Sequence, residues 1–176
     1  NSFANGTFWV FLPLAAAMLL LLSPTEIGIA ISLSIFTTAI FQRAFGRVAD
    51  RHNKNILVIA GSVLVAAALT SIPFLAGFPA LLAASILIGL GSAIVVPSAT
   101  AITTIIGRDI GQGSAMGAYN TASSAGMIIA PVVSGLVMDL AGIVSVFVFS
   151  GAVSLISVII FWIGTERTAT SATPAL

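Results

Sequence analysis

The side chains that could do chemistry in this chain are few and unevenly placed. Residues 46–55, GRVADRHNKN, hold Arg47, Asp50, Arg51 and Lys54, although the whole chain has only 6 basic and 5 acidic residues. A carboxylate such as Asp50 can accept hydrogen bonds from a helix N-terminus, where free N–H groups and the helix dipole favour an anion. The basic side chains can pair with carboxylates or lipid phosphates. The stretch therefore predicts ionic contacts between helices.

Catalytic and metal-binding chemistry is not indicated. His52 is the sole histidine and the chain has no cysteine, whereas a metal site needs three or four ligands and catalysis needs an oriented partner. A net charge of +1 is too small for a nucleic-acid partner. We expect no enzyme activity, no metal and no cofactor, and we interpret His52 as a solvated loop residue.

The composition indicates an integral membrane protein. The chain is 59% hydrophobic and 6% charged, whereas soluble domains carry about 25% charged residues. So few charges cannot hydrate the surface of a 176-residue globule, so most of the exterior must face lipid. Buried helices of a large soluble protein are the alternative, but such helices keep a charged stripe.

The uncharged stretches predict six transmembrane helices, since about 20 apolar residues cross a bilayer. The predicted spans are residues 3–22, 27–45, 55–76, 79–106, 113–138 and 142–164. Gly46 is expected to let the second helix end. Residues 1–164 would form one bundle, and residues 165–176 a disordered cytosolic tail.

The cations predict the orientation of this bundle. If all six spans cross, one side carries every cation: Arg43, Arg47, Arg51, Lys54, Arg108 and Arg167. The positive-inside rule makes that side cytosolic. We therefore expect a multi-pass protein of a cell membrane, with both ends of the segment in the cytosol.

An internal repeat relates the two halves of the bundle. Gly46-Arg-Val-Ala-Asp50 closes the predicted second helix, and Gly135-Leu-Val-Met-Asp139 closes the fifth. Because three spans separate the copies, the second copy must be inverted relative to the first. Inverted repeats are typical of secondary transporters. The predicted fold class is therefore all-α integral membrane, with two inverted three-helix repeats.

Three motifs resemble those of the major facilitator superfamily. Residues 46–55 resemble its loop signature Gly-x-x-x-Asp-Arg-x-Gly-Arg-Lys, with Asn53 and Asn55 as departures. In the fourth helix Gly89, Gly91 and Pro97 match, while Ser85 replaces an expected Arg. In the fifth helix Gly126, Pro131 and Gly135 match, with small residues at Ala130 and Ser134. These departures favour the C-terminal half, the seventh to twelfth helices.

The resemblance implies secondary active transport of a small solute by alternating access. It implies a conformational latch formed by Gly46, Arg47, Asp50, Arg51 and Lys54. It implies packing and hinge positions in the fifth helix at Gly126, Ala130, Pro131, Gly135 and Asp139. It also implies a substrate path, for which the polar and aromatic candidates are Asn5, Trp9, Thr38, Gln42, Tyr119 and Asn120.

The expected partners are the lipid bilayer, a small-molecule solute and a second six-helix half. That half would belong to the same polypeptide, or would be a second copy of a half-size transporter. The expected location is a prokaryotic inner membrane. Because no charge lies deep in a span, either the solute is neutral or amphipathic, or its charge partner lies in the other half. A non-transporting receptor or assembly module with the same fold is the alternative function. Import and efflux both stay open.

Overall fold

The structure is a computed structural model that describes residues 2–171, with side chains described through Thr165. The described part is a bundle of six long helices. Their bounds are α1 Ser2–Leu19, α2 Pro24–Arg51, α3 Lys54–Ser71, α4 Gly77–Ile110, α5 Gln112–Ala141 and α6 Ile143–Ser171. A short 3-10 turn at Ile72–Phe74 extends α3. No strand occurs in this part of the chain.

All six helices are long and apolar enough to cross a membrane, so the chain is a multi-pass membrane protein. At 1.5 Å per residue, the 34 residues of α4 span about 51 Å. A bilayer core is about 30 Å thick. The longest helices therefore extend beyond the lipid core.

Short connections with defined caps join the helices. Ser23 and Glu26 form a capping box at the start of α2: the Glu26 carboxylate accepts from the Ser23 N–H at 2.8 Å, and the Ser23 hydroxyl accepts from the Glu26 N–H at 3.4 Å. Single glycines, Gly111 and Gly142, connect α4 to α5 and α5 to α6. Their φ angles of 95° and 82° are positive, a region that glycine adopts without the steric cost of a Cβ.

The second helix is longer than predicted. It passes through Gly46 and ends at Arg51, where the His52 N–H donates to the Val48 carbonyl at 3.0 Å. The expectation that α2 ends at Gly46 is therefore wrong. The last turn can continue because Arg and Ala favour helix and Arg51 complements the dipole at the C-terminal end.

The sixth helix also continues past its predicted end at residue 164, through Ser171. Residues 172–176 of the predicted tail lie outside the described residues.

The bundle has one cationic end. It is defined by the residues Arg43, Arg47, Arg51, Lys54 and Arg108 at the α2–α3 connection and the end of α4. The apolar core lies toward the opposite end. Its largest fully buried side chains include Leu12, Leu69, Ile72, Leu81 and Phe147, from α1, α3, α4, α6 and the 3-10 turn. The helices therefore pack most tightly away from the cationic end.

The two halves are inverted three-helix repeats, α1–α3 and α4–α6, and the first helix of each packs on the second helix of the other. A Cβ added to Gly89 of α4 would lie 2.5 Å from the Ser34 carbonyl of α2. A Cβ added to Gly6 of α1 would lie 2.9 Å from the Met127 carbonyl of α5. The first helix of each repeat thus places a glycine on a carbonyl of the second helix of the other.

The equivalence defined by these contacts differs from that defined by the sequence motif. Packing relates Ser34 to Met127, whereas the motif relates Asp50 to Asp139, and the two alignments differ by four residues. Four residues are about one helical turn. The repeat is therefore present in the packing, in a register about one turn away from that of the sequence motif.

Candidate substrate pocket and helix-end residues

A pocket of about 280 Å³ lies between α1, α2 and α4. Its walls combine amides, hydroxyls, aromatic rings and aliphatic groups and carry no charged residue. The lining residues are Asn5, Phe8 and Trp9 of α1, Ser34, Ile35, Thr38, Ala39 and Gln42 of α2, and Ile88, Gly89, Ser92 and Val96 of α4. This arrangement suits an uncharged molecule, or part of one, with an apolar body and a few polar atoms.

The close approach of α2 and α4 shapes one wall. The Thr38 hydroxyl lies 2.9 Å from the Ser34 carbonyl of its own helix and 3.0 Å from the Gly89 carbonyl of α4, with both oxygens accepting. The Ser34 hydroxyl donates to the Ile31 carbonyl at 2.8 Å. The hydroxyl protons of Ser34 and Thr38 are thus used within the protein, which leaves their oxygens as acceptors.

Two amides are among the free hydrogen-bonding groups of the pocket, beside the Ser92 hydroxyl and the Trp9 indole N–H. Within residues 2–165, the side chains of Asn5 and Gln42 make no hydrogen bond, and both line the pocket. An amide offers two N–H donors and one acceptor. Asn5 and Gln42 are therefore the groups best able to orient a polar atom of a solute.

Four of the six predicted substrate-path residues come together here: Asn5, Trp9, Thr38 and Gln42. Tyr119 and Asn120 lie on α5 and do not line this pocket; Tyr119 is partly exposed and Asn120 is exposed.

The aliphatic wall was not anticipated from the sequence. The residues missed are Ile35, Ala39, Ile88 and Val96. The spacing of Ile35, Ala39 and Gln42 along one face of α2 was a usable signal.

The predicted latch residues lie at the cationic end, mostly within helices. Gly46, Arg47, Asp50 and Arg51 belong to the last turns of α2, and Lys54 opens α3. Asp50 is exposed and makes no side-chain hydrogen bond or ion pair within residues 2–165.

The helix N-terminus nearest to Asp50 along the chain is capped by another residue. The Asn53 side chain accepts from the Asn55 N–H at 3.0 Å, at the start of α3. Asp50 therefore has its acceptor oxygens available for a group outside this segment.

The predicted fifth-helix residues divide into two groups. Ala130 is fully buried and faces Gly6, and a Cβ added to Gly126 would lie 3.2 Å from the Ser2 Cβ. Both contact α1. Pro131 lies within α5 and is partly exposed, and a Cβ added to Gly135 would meet nothing within 4 Å. Asp139 is exposed near the end of α5.

A buried hydroxyl cluster joins α1, α5 and α6. Ser150 donates to the Thr7 hydroxyl at 2.6 Å, and the Thr7 and Ser134 oxygens are 3.0 Å apart. All three residues are 0% exposed. Thr7 does not line the pocket, so its role is to hold helices together, which its position in the sequence did not reveal.

Six lipid-spanning helices in inverted repeats, with an uncharged pocket among them, define the class as a membrane transport fold. The chain belongs to the Major Facilitator Superfamily, whose family model matches residues 1–176. This is a family of transporters rather than enzymes.

Several relatives are similar to this chain. An uncharacterized MFS-type transporter of Methanocaldococcus jannaschii is 32% identical over 146 residues, covering 81% of this chain and 37% of the relative. A multi-drug resistance efflux pump PmrA homolog of Lactococcus lactis is 28% identical, covering 71% and 31%. The multidrug resistance protein MdtG of Proteus mirabilis is 27% identical, covering 85% and 37%. The chain thus spans about a third of the length of these relatives.

Proposed function

We propose that this chain is the C-terminal half of a secondary active transporter that moves a small solute by alternating access. The observation that carries the proposal is the uncharged pocket between α1, α2 and α4 within an inverted-repeat bundle. In folds of this kind, solute sites lie near the bilayer midplane, and rocking of one unit against another exposes them to either side.

A second six-helix unit would complete the pocket. The chain covers 31–37% of the length of its relatives, and only α1, α2 and α4 line the pocket. We propose that the other half belongs to the same polypeptide, with a second copy of a half-size protein as the alternative. The lipid bilayer surrounds both.

The pocket chemistry favours a neutral or amphipathic solute. Phe8, Trp9 and Ile88 supply apolar surface, and Asn5 and Gln42 supply hydrogen bonds. Two relatives carry names that describe multidrug resistance or efflux. We therefore propose export as the direction, from a bacterial or archaeal cell across its cytoplasmic membrane.

The cationic end would lie in the cytosol by the positive-inside rule. There Gly46, Arg47, Asp50, Arg51 and Lys54 would act as a latch. Because Asp50 has no partner within residues 2–165, it would bind a cation or a helix N-terminus of the other half in one conformation and release it in the other.

The test is export of Nile red, a neutral fluorescent amphiphile, from vesicles that contain the full-length protein. The change Gln42→Ala should slow export about 3- to 10-fold, since a lost hydrogen bond is worth about 0.5–1.5 kcal/mol and 1.4 kcal/mol is about tenfold. Asn55→Ala is the matched control, because Asn55 lies at the start of α3, outside the pocket.

Export by the control should stay within about twofold of the unmodified protein, as is usual for surface changes. Equal losses in the two variants, or an unmodified protein that does not export Nile red, would contradict the proposal.

A further inference from the structure

The second helix has three faces with different surroundings. One face holds buried residues such as Ala30 and Ser34, and another holds Ala39 and Gln42 of the pocket wall. The third face is exposed. It carries, at intervals of four, three and four residues, Phe36, Ile40, Arg43 and Arg47. Residues with this spacing align along one side of a helix, and we call these four residues the outer stripe of α2.

The outer stripe points away from the pocket. With 3.6 residues per turn, it lies about 120° around α2 from the pocket-lining residues and about as far from the buried ones. Under the proposed function, a second half completes the pocket and therefore lies on the pocket side of α2. The outer stripe is then left facing lipid, and this step rests on the proposed function.

The two ends of the outer stripe differ in chemistry. Phe36 is 64% exposed and Ile40 is 55% exposed, which suits contact with acyl chains. Arg43 and Arg47 make no hydrogen bond or ion pair within residues 2–165. Asp50 lies three residues after Arg47, a spacing at which side chains can pair, yet in this part of the chain the two form no ion pair. Both guanidinium groups are therefore available to an anion outside the described bundle.

The depth of the two arginines matches that of lipid phosphates. Arg43 is the nineteenth residue after Pro24, the first residue of α2, and so lies about 28 Å along the helix at 1.5 Å per residue. The hydrocarbon core is about 30 Å thick, and each headgroup layer adds about 5–8 Å. With the start of α2 at the outer edge of the core, Arg43 lies at the inner edge. Arg47, about 6 Å further along, lies within the headgroup layer, and Arg51, about 12 Å beyond Arg43, lies past it.

We propose that Arg43 and Arg47 bind the phosphate of an anionic phospholipid in the cytoplasmic leaflet, with its acyl chains along Phe36 and Ile40. A guanidinium group matches a phosphate in charge and in bidentate geometry, and the cytoplasmic leaflet carries a negative surface potential. A zwitterionic lipid has the same phosphate, but the arginines repel its cationic group. The outer stripe therefore selects a headgroup of net negative charge.

The test uses two photoreactive lipids that carry a diazirine at the same position of one acyl chain. One is a phosphatidylglycerol, which is anionic, and the other is a phosphatidylcholine, which is zwitterionic. The full-length protein is placed in nanodiscs of phosphatidylcholine that contain either probe at the same low fraction. After illumination, adducts on residues 33–41 are mapped by mass spectrometry, and the ratio of the two yields reports the preference for the anionic lipid.

The anionic probe should give the higher yield. Each arginine near the membrane surface is worth about 1 kcal/mol, or about fivefold, so the ratio should reach about 30. Arg43→Gln should lower the ratio about fivefold, and the double change Arg43→Gln/Arg47→Gln should bring it close to one. Arg47 is also a proposed latch residue, whereas Arg43 is not, so the single change separates lipid binding from the latch.

The matched control is Arg108→Gln, which removes one positive charge from the same end of the bundle. Arg108 is the thirty-first residue after Gly77, the first residue of α4, so it lies about 46 Å along that helix, beyond the headgroup layer. Because salt screens charges over about 8–10 Å, this change should leave the ratio within about twofold of that of the unmodified protein.

Three results would overturn the proposal. They are equal yields from the two probes in the unmodified protein, a ratio that Arg43→Gln does not lower, and a ratio that Arg108→Gln lowers as much. Absence of adducts on residues 33–41 from both probes would show that another protein segment covers the outer stripe, and would overturn it as well. Since the readout is lipid contact, a failure of the proposed transport in a separate assay would not produce any of these results.

Discussion

The α2–α4 and α1–α5 interfaces are equivalent in the repeat, yet they have different properties. In each, a glycine of one helix approaches a carbonyl of the other, Gly89 on Ser34 and Gly6 on Met127. Beside Gly89 the Thr38 hydroxyl lies at the wall of a pocket. Beside Gly6 the Thr7 hydroxyl is fully buried in a cluster with two serines.

The difference shows that the same kind of glycine contact can border either an open pocket or a closed interface. Glycine allows close helix contact in both interfaces. The neighbouring residues decide whether the interface borders a cavity or is fully packed. The α2–α4 interface borders a pocket that can take a solute. The α1–α5 interface is held, together with α6, by hydroxyls that hydrogen-bond only to one another within residues 2–165, which suits a fixed joint.

Gly89→Val should have the largest effect, because it disrupts the α2–α4 interface and leaves the α1–α5 interface unchanged. The new Cβ would lie 2.5 Å from the Ser34 carbonyl and 2.8 Å from the Thr37 Cβ, and a helix backbone cannot yield cheaply. Overpacking typically costs about 1–3 kcal/mol, and we expect a loss of about 3 kcal/mol in the free energy of unfolding. The loss is measured by thermal unfolding of the full-length protein, followed by tryptophan fluorescence.

Gly28→Ala is the control for this change, because nothing lies within 4 Å of its added Cβ. It should unfold at or slightly above the temperature of the unmodified protein, since Ala favours helix over Gly. If Gly89→Val were as stable as Gly28→Ala, the close α2–α4 contact would be refuted.

Asp50→Asn should show whether the end of α2 matters more for transport than the equivalent end of α5. Removal of this charge should slow transport about 10- to 100-fold, since a hydrogen bond to a charged group is worth about 1.5–3 kcal/mol. Membrane insertion should be unchanged. Asp139→Asn, at the equivalent end of α5, is the companion variant, and it should slow transport less if the latch is confined to the cationic end. Full activity of Asp50→Asn would contradict the latch.

Thr7→Val should sharpen the contrast between the two hydroxyl sites. It keeps the shape of the side chain but leaves Ser134 and Ser150 without their shared partner in a fully buried place. We expect a loss of about 1–2 kcal/mol in stability, within the range for unsatisfied buried groups. Thr38→Val should cost less stability, because the Thr38 hydroxyl is only partly buried. Equal destabilisation by the two changes would contradict the proposed difference between the buried Thr7 cluster and the Thr38 hydroxyl at the pocket wall.

Ser23→Ala should have the smallest effect. It removes the hydroxyl that caps α2 at the Glu26 N–H, and such caps are worth about 0.5–2 kcal/mol. Because this cap is exposed, we expect a loss near the lower limit, seen as a small fall in the unfolding temperature. The start of α5 offers the contrast, since Gly111 provides no side-chain cap there. A loss above 2 kcal/mol would show that Ser23 does more than cap.

Much of the fold could be predicted because lipid restricts the choices. A spanning segment must be helical and uncharged over about 20 residues, and that requirement identified all six helices. The exact ends were harder. The glycine at position 46 predicts a helix end, but in the structure Gly46 lies inside α2, which continues to Arg51.

The pocket could be predicted only in part. Asn5 and Gln42 stood out because amides need partners in lipid. The aliphatic wall, such as Ile35 and Val96, did not, since apolar residues occur on every face of these helices. The buried role of Thr7 was also hidden, because a hydroxyl can face a cavity, a carbonyl or another hydroxyl with the same local sequence.

The most direct test of the central claim is the accessibility of Ala39, an exposed small residue in the pocket wall. Ala39→Cys is introduced into full-length protein free of other cysteines and treated with a membrane-impermeant thiol reagent from each side. The chain itself contains no cysteine. Ala60→Cys, an exposed position on α3 away from the pocket, is the control.

We predict that Ala39→Cys reacts from both sides and that a transported solute shifts the two rates in opposite directions, while Ala60→Cys reacts from neither. Reaction of Ala39→Cys from one side only under all conditions, or no faster than that of Ala60→Cys, would contradict alternating exposure of the pocket.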